Sequence, residues 1–231
     1  MRRLILSSAI GALLFAFAGA GAADPATEDQ KLLYALGMAL AAKVPAFDPT
    51  TEEIAMIQAG ITDHLQGNEH KVDMAVYAAK LDAFMQGKMA AVADREKTAG
   101  AKFRDEMAAK DGATKTDSGM IYFELQPGNG AQPTASDTVR IHYHGTRVDG
   151  TVFDSSVERK EPVEFAVNGV VPCFAEGLTK MKVGGKNKIV CPPELAYGDR
   201  GYGGIKPGST LVFEVELLEV VQPQPAATPT P

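Results

Sequence analysis

The chain has 231 residues, 45% of them hydrophobic and 23% charged, which is enough apolar material for one large or two modest domains with buried cores. A formal net charge of -6 speaks against nucleic acid or an anionic membrane surface as a partner, because phosphates select basic patches and no basic stripe is present.

In chain order, the first feature is a leader. Arg2 and Arg3 precede an apolar run from Leu4 to Phe17 and small residues from Ala18 to Ala23, the layout of a secretory signal cleaved between Ala20 and Ala23. The apolar run is shorter than the roughly 20 residues that span a membrane. No other stretch is long enough, and neither cysteine lies near the cleavage region to carry a lipid. The expectation is an exported protein without a stable membrane anchor.

From Asp29 to about Gly112 the pattern is helical. Leu32, Leu33, Leu36 and Leu40 form one apolar stripe, and Ile54, Ile57, Ile61 and Leu65 form a second. Two start signals compete between them: Asp48 before Pro49 suits an N-cap with proline in the first turn, and Thr50 with Glu53 offers a capping box. Gly67-Asn68 ends this helix. A third helix is expected from about Lys71 to Lys110. Val72, Val76, Leu81, Phe84, Met85, Met89 and Val92 line its first half, whereas Asp94 to Lys97 and Lys102 to Glu106 are polar around most of the circumference. A helix that loses its apolar stripe bridges domains through solvent, so the second half reads as a spacer. Three such helices bury little alone, and pairing through the Leu32–Ile57 region as a symmetric dimer would cover their stripes. The six methionines between Met38 and Met107 suit helix core, a dimer seam or an adaptable client surface.

After Gly119 the hydrophobic period changes to two. Strands are expected over Met120 to Leu125, Thr138 to Gly145, Val163 to Val167, Lys186 to Cys191 and a last one carrying Leu211, Phe213, Val215 and Leu217. Pro172 opens a short helix whose Phe174, Leu178 and Met181 face inward. An irregular charged loop precedes Pro162, and a long Gly-rich loop runs from Pro192 to Gly208. The fold class is α+β, with helices first and then an antiparallel sheet wrapped on one short helix. The tail from Gln222 to Pro231 is Pro-rich and is expected to be extended and disordered. His142 and His144 share a strand face, but no third ligand lies near them, so solvated strand histidines are expected and no metal site.

Val139-Arg-Ile-His-Tyr143, Asp149-Gly-Thr-Val-Phe153-Asp154-Ser-Ser156, Val170-Val-Pro172, Gly177-Leu-Thr-Lys-Met181, Val183-Gly-Gly-Lys186, Ala196-Tyr-Gly198 and Thr210-Leu-Val-Phe-Glu-Val-Glu-Leu217 resemble the successive motifs of the FKBP-type peptidyl-prolyl isomerases. The helical front half is similar in layout to the N-terminal dimerisation region of the macrophage infectivity potentiator branch. Between the leader (1–23) and the Pro-rich tail (222–231), the resemblance implies a helical dimerisation domain with its linking helix (24–112) and an isomerase domain (113–221). It also implies acceleration of X-Pro isomerisation during folding of exported proteins, in the periplasm or beyond it as a secreted or outer-membrane-associated protein. The implied partners are proline-containing polypeptides, macrolide inhibitors and a second copy of the chain. No cofactor is implied.

The resemblance also assigns roles. Phe153, Val170, Val171, Phe174, Ile205 and Phe213 would hold the prolyl ring. Tyr143 and Asp154 would form one wall, with Arg159 beside the carboxylate. The Tyr197 hydroxyl and the Val171 backbone N–H would anchor substrate carbonyls. Plain core packing is the alternative for each apolar member, whereas Asp154 and Tyr197 carry polar groups that a core would not select. Phe174, a smaller ring that keeps the pocket floor apolar but changes its depth, stands where the family commonly has tryptophan, and Val163 stands where an aromatic is frequent. A non-catalytic proline-binding module or holdase is the alternative function. Cys173 and Cys191 are the only cysteines, and an even count in an exported protein points to a disulfide. The rival is a catalytic cysteine served by His142 or His144, both of which face away from the pocket side.

Overall fold

The computed structural model describes residues 24–44 and 47–221; the expected signal segment and Pro-rich tail lie outside the described residues. The chain divides into two units at Ala41 and Ala42. The first contributes one helix, α1 (Glu28–Ala41), none of whose residues is buried. Its start is fixed locally. Thr27 Oγ1 accepts from Gln30 N at 3.2 Å, and Gln30 Oε1 accepts from Thr27 N at 3.1 Å, so two of the donors left over at a helix start are satisfied reciprocally.

The second unit opens with α2 (Thr51–Gln66) and α3 (Met74–Ala108). Of the two start signals for α2, the capping box forms: Thr50 accepts from Glu53 N while Glu53 reaches back to Thr50 N, and Gly67 closes the helix in the left-handed region at φ 67°. Asp48 instead sits at φ 60°, and its carboxylate turns to Lys206 at 2.9 Å and to Arg95 at 3.4 Å. Asp73 caps α3 by accepting from Ala75 N at 2.8 Å.

The sheet is antiparallel throughout. Its strands are β1 (Thr114–Lys115), β2 (Ile121–Gln126), β3 (Thr138–Arg147), β4 (Val152–Ser155), β5 (Val163–Ala166), β6 (Lys186–Cys191) and β7 (Leu211–Val221). They lie in the order β1-β2-β6-β7-β3-β4, with β5 also on β3. Two short helices interrupt them: α4 (Ser156–Arg159) and α5 (Pro172–Thr179). The expected irregular loop before Pro162 therefore begins with an ordered turn, because the Ser155 side chain accepts from Glu158 N and caps α4.

The concave face of the sheet wraps α5. Val139, Ile141, Tyr143, Ile189, Phe213, Val215 and Leu217 from the strands enclose Cys173, Phe174 and Leu178. Gly177 brings the backbone of α5 close to β6: a Cβ there would lie 2.2 Å from Ile189 Cδ1. Cys173 and Cys191 form a disulfide that ties the first turn of α5 to the end of β6. With both sulfurs so committed, the catalytic-cysteine rival is removed.

The convex face is covered too, and here the expected spacer requires correction. Met107 is buried and Phe103 partly buried, and both pack on Ile121, Phe123, Val190 and Val212. Val92, Ala93 and Gly100 are also buried. The second half of α3 is docked on the sheet rather than bridging through solvent. Its sequence is polar around most of the circumference because the apolar residues that meet the sheet cluster, Phe103 and Met107, are four apart on one face; small residues and charge pairs make the rest of the contact.

Candidate functional site

The site begins at β3. Gly145 pairs with Asp154 of β4 on one side and Phe213 of β7 on the other. A Cβ at Gly145 would lie 2.6 Å from Phe153 Cζ, so the missing side chain is what lets the Phe153 ring cross the strand. Phe153 then meets Phe213 edge-on at 5.6 Å between ring centroids. Phe213 lies 4.7 Å from Phe174, and Phe174 lies 6.1 Å from Tyr143. Four rings from β3, β4, α5 and β7 thus form one continuous apolar wall of the kind that offset and edge-on aromatic contacts favour.

Each remaining expected residue reaches this wall. Ile205 is buried in the same cluster, with Val170, Val171 and Tyr197 packed on it half-buried. Val170 and Val171 arrive there because Pro172 takes the first position of α5 and fixes the chain entering it. Among the described residues the Val171 backbone N–H makes no backbone hydrogen bond. Burial, with the nearby Tyr202 and Asp154, pushes the Tyr197 phenol above its ordinary value.

At one edge stands a polar triad. The Tyr143 hydroxyl donates to Asp154 Oδ2 and the Arg159 guanidinium to Asp154 Oδ1, with Arg159 6.0 Å over the Tyr143 ring. The single turn of α4 carries Arg159 back over Asp154. Burial pushes the Asp154 carboxyl up, but the Tyr143 and Arg159 hydrogen bonds and the guanidinium charge outweigh it and hold the group below its ordinary 3.8. Burial and donation to Asp154 push the Tyr143 phenol up. The triad is a fixed carboxylate with its proton-bearing partner locked.

Sequence reasoning missed three residues here. Ser156 is fully buried, and its Oγ accepts from Tyr143 N at 2.8 Å, which seats β3 beside α4. Phe165 lies 5.9 Å from Tyr143; it shares a strand face with Val163 and supplies an aromatic ring next to that position. Tyr202, exposed, stacks on Tyr197 at 5.5 Å. The Ser-Ser pair after Asp154 and the period-two position after Val163 were the legible signals for the first two. The histidines differ from expectation in being half-buried and anchored: His142 Nδ1 lies 3.1 Å from Ser156 Oγ and His144 Nδ1 3.0 Å from Ser155 Oγ. Among the described residues no group of three or more His, Cys, Asp or Glu side chains is placed to hold a metal ion.

Residues 129–218 match the family model described as FKBP-type peptidyl-prolyl cis-trans isomerase, and residues 29–123 match that of the domain amino-terminal to it. The chain is 37% identical over 234 residues to the FKBP-type peptidyl-prolyl cis-trans isomerase FkpA of Escherichia coli (strain K12), an alignment spanning 92% of this chain and 86% of that one. It is 47% identical over 171 residues to the FKBP-type 22 kDa peptidyl-prolyl cis-trans isomerase of the same strain, over 71% of this chain and 81% of that one. Among solved structures, the crystal structure of FkpA from Escherichia coli is similar with a TM-score of 0.63 at 36% identity, over 84% of this chain and 97% of that one.

Proposed function

The chain belongs to the FKBP-type peptidyl-prolyl cis-trans isomerases, and on that premise we propose that its X-Pro isomerisation runs, without a covalent step, in the cleft between Tyr143, Phe153, Phe174 and Phe213. Amide resonance sets a barrier of about 18–20 kcal/mol to rotation, and water stabilises the planar form by hydrogen-bonding its polarised carbonyl. The prolyl ring sits against Phe174 and Phe213, flanked by Phe153, Val170, Val171 and Ile205. The apolar wall strips water from the bond, so the twisted amide, which has lost that resonance, is held better than the planar one. Asp154, held ionised by Tyr143 and Arg159, orients the substrate at its carbonyl carbon, and the Tyr197 hydroxyl and Val171 N–H anchor flanking carbonyls.

The observation that carries this reading is the juxtaposition of four rings with one carboxylate whose partners are already in place. In a protease-coupled assay on an X-Pro peptide, Asp154→Ala and Tyr197→Phe should each lower kcat/KM by about ten-fold or more, the scale of one lost hydrogen bond to a charged or reacting group, with circular dichroism unchanged. Wild-type rates in both variants would refute the assignment.

The helical part supports a dimer that works on exported clients in the periplasm. The large side chains of α1 and α2 are exposed, and Val72, Met74, Tyr77, Leu81 and Phe84 line an apolar groove of about 400 Å³ at the start of α3. A second copy covering these faces, as in the macrophage infectivity potentiator branch, would leave two clefts to share one client chain and raise the effective concentration of its prolines. The same exposed face also favours the second reading, a holdase contribution. Among the described residues no helix is long and apolar enough to cross a membrane. A macrolide of the rapamycin type would compete for the cleft.

A further inference from the structure

We propose that Lys206 is a positioning residue for the isomerase cleft, through which α3 and the segment before α2 hold the Gly-rich loop that carries Tyr197, Tyr202 and Ile205. The proposal rests on the cleft described above.

Four observations converge on that loop. Lys206 follows the buried Ile205 directly, and its ammonium lies 2.9 Å from Asp48 Oδ2 and 3.6 Å from Glu96 Oε1. Its side chain is 20% exposed and that of Glu96 18%, so this pair is screened far less than an ordinary surface ion pair. Two residues on, Gly208 lies against α3: a Cβ there would fall 2.6 Å from the Ala93 carbonyl oxygen. Next to it, Ser209 Oγ reaches Glu96 at 3.5 Å and the Arg104 guanidinium donates to the Thr210 hydroxyl. At the loop's other end Lys97 pairs with Asp199 at 2.6 Å.

The loop itself is closed into a stiff unit. Tyr202 and Ile205 exchange both backbone hydrogen bonds, at 2.9 and 2.8 Å, and Gly208 N donates to Gly198 O at 2.9 Å. A displacement at Lys206 or Gly208 is therefore carried to Ile205, which lines the cleft, and to Tyr202, which stacks on Tyr197. The helical half thus sets the geometry of one cleft wall without touching substrate, and the charges that do so come from two separate segments of the chain, Asp48 and Glu96.

The test is made on the full mature chain, with Lys206→Met, Glu96→Gln, the double variant and Lys206→Arg. In NMR amide exchange, Lys206→Met should speed exchange at Tyr202, Ile205 and Gly208 by about ten-fold, with the sheet amides of β6 and β7 unchanged; equal exchange at the loop would overturn the proposal. In kinetics on an X-Pro peptide at low salt, each single variant should raise KM about three-fold to ten-fold, the range of a partly buried charge network, while kcat moves less than two-fold. The double variant should be no worse than the worse single, and Lys206→Arg should stay near wild type. Unchanged KM in the singles, or effects that multiply in the double, would contradict the clamp. An inactive wild type would contradict the cleft reading instead, and the exchange data would still decide the clamp.

Discussion

Asp154 sits where burial and two hydrogen bonds oppose one another, and the outcome sets the pH dependence. Its carboxyl is held below 3.8 because the Tyr143 hydroxyl and the Arg159 guanidinium outweigh desolvation. A group with a depressed folded value contributes above its unfolded value and loses that contribution as pH falls through the folded one. Tyr143 and Tyr197 are both pushed above 10.0, so neither ionises in the working range. We therefore expect kcat/KM to be flat between about pH 5 and pH 9, with an acid limb only below the ordinary carboxylate range. A pH profile with a midpoint at or above about 5 would show that Asp154 is not held in this way. At this scale the sequence was most legible where a polar residue stood in an apolar motif, as with Asp154 and Tyr197. It was least legible where a side chain acts through another, as with Ser156 beneath Tyr143 or Lys206 behind Ile205. Spacing along the chain carries no trace of a contact made between distant segments.

At the scale of elements, the β half could be read from its period of two because one face wraps α5 and must alternate, as Leu211, Phe213, Val215 and Leu217 do. Val212, between two of these, is buried as well, and that break in alternation marks the second covered face. What covers it is α3, whose docking segment was unreadable because Gly100 and Ala93 make close approach by having little or no side chain and the apolar residues that pack on the sheet there are Phe103 and Met107, widely spaced among polar ones. A consequence follows for dissection of the chain. A fragment beginning at Thr114 strips Phe103 and Met107 from Ile121, Phe123, Val190 and Val212, a loss comparable to about 2–5 kcal/mol for each large side chain removed from a core. Residues 91–221 should unfold in urea at clearly higher concentration than residues 114–221. Coincident unfolding midpoints would mean that the docking of α3 adds nothing to the stability of the sheet.

For the whole molecule, the physical contrast is between a closed β half and the large apolar side chains of α1, α2 and the first half of α3, which are exposed among the described residues. Leu32, Leu36, Ile54, Ile57 and Phe84 are all exposed at 40% or more, more than scattered surface residues call for. If a second copy supplies the cover, the helices assemble and the β half catalyses, with α3 joining the two and Lys206 tying α3 to one wall of the cleft. The claim on which the rest depends is catalysis in the cleft, and two-dimensional NMR exchange on a short X-Pro peptide reads it without a coupling protease. Cis and trans resonances should exchange at a rate proportional to added wild-type protein, and a rapamycin-type macrolide should suppress that exchange while shifting the signals of Tyr143, Phe174 and Phe213. Exchange no faster than the uncatalysed tens to hundreds of seconds, with the protein folded and its Phe174 and Phe213 signals dispersed, would contradict the account.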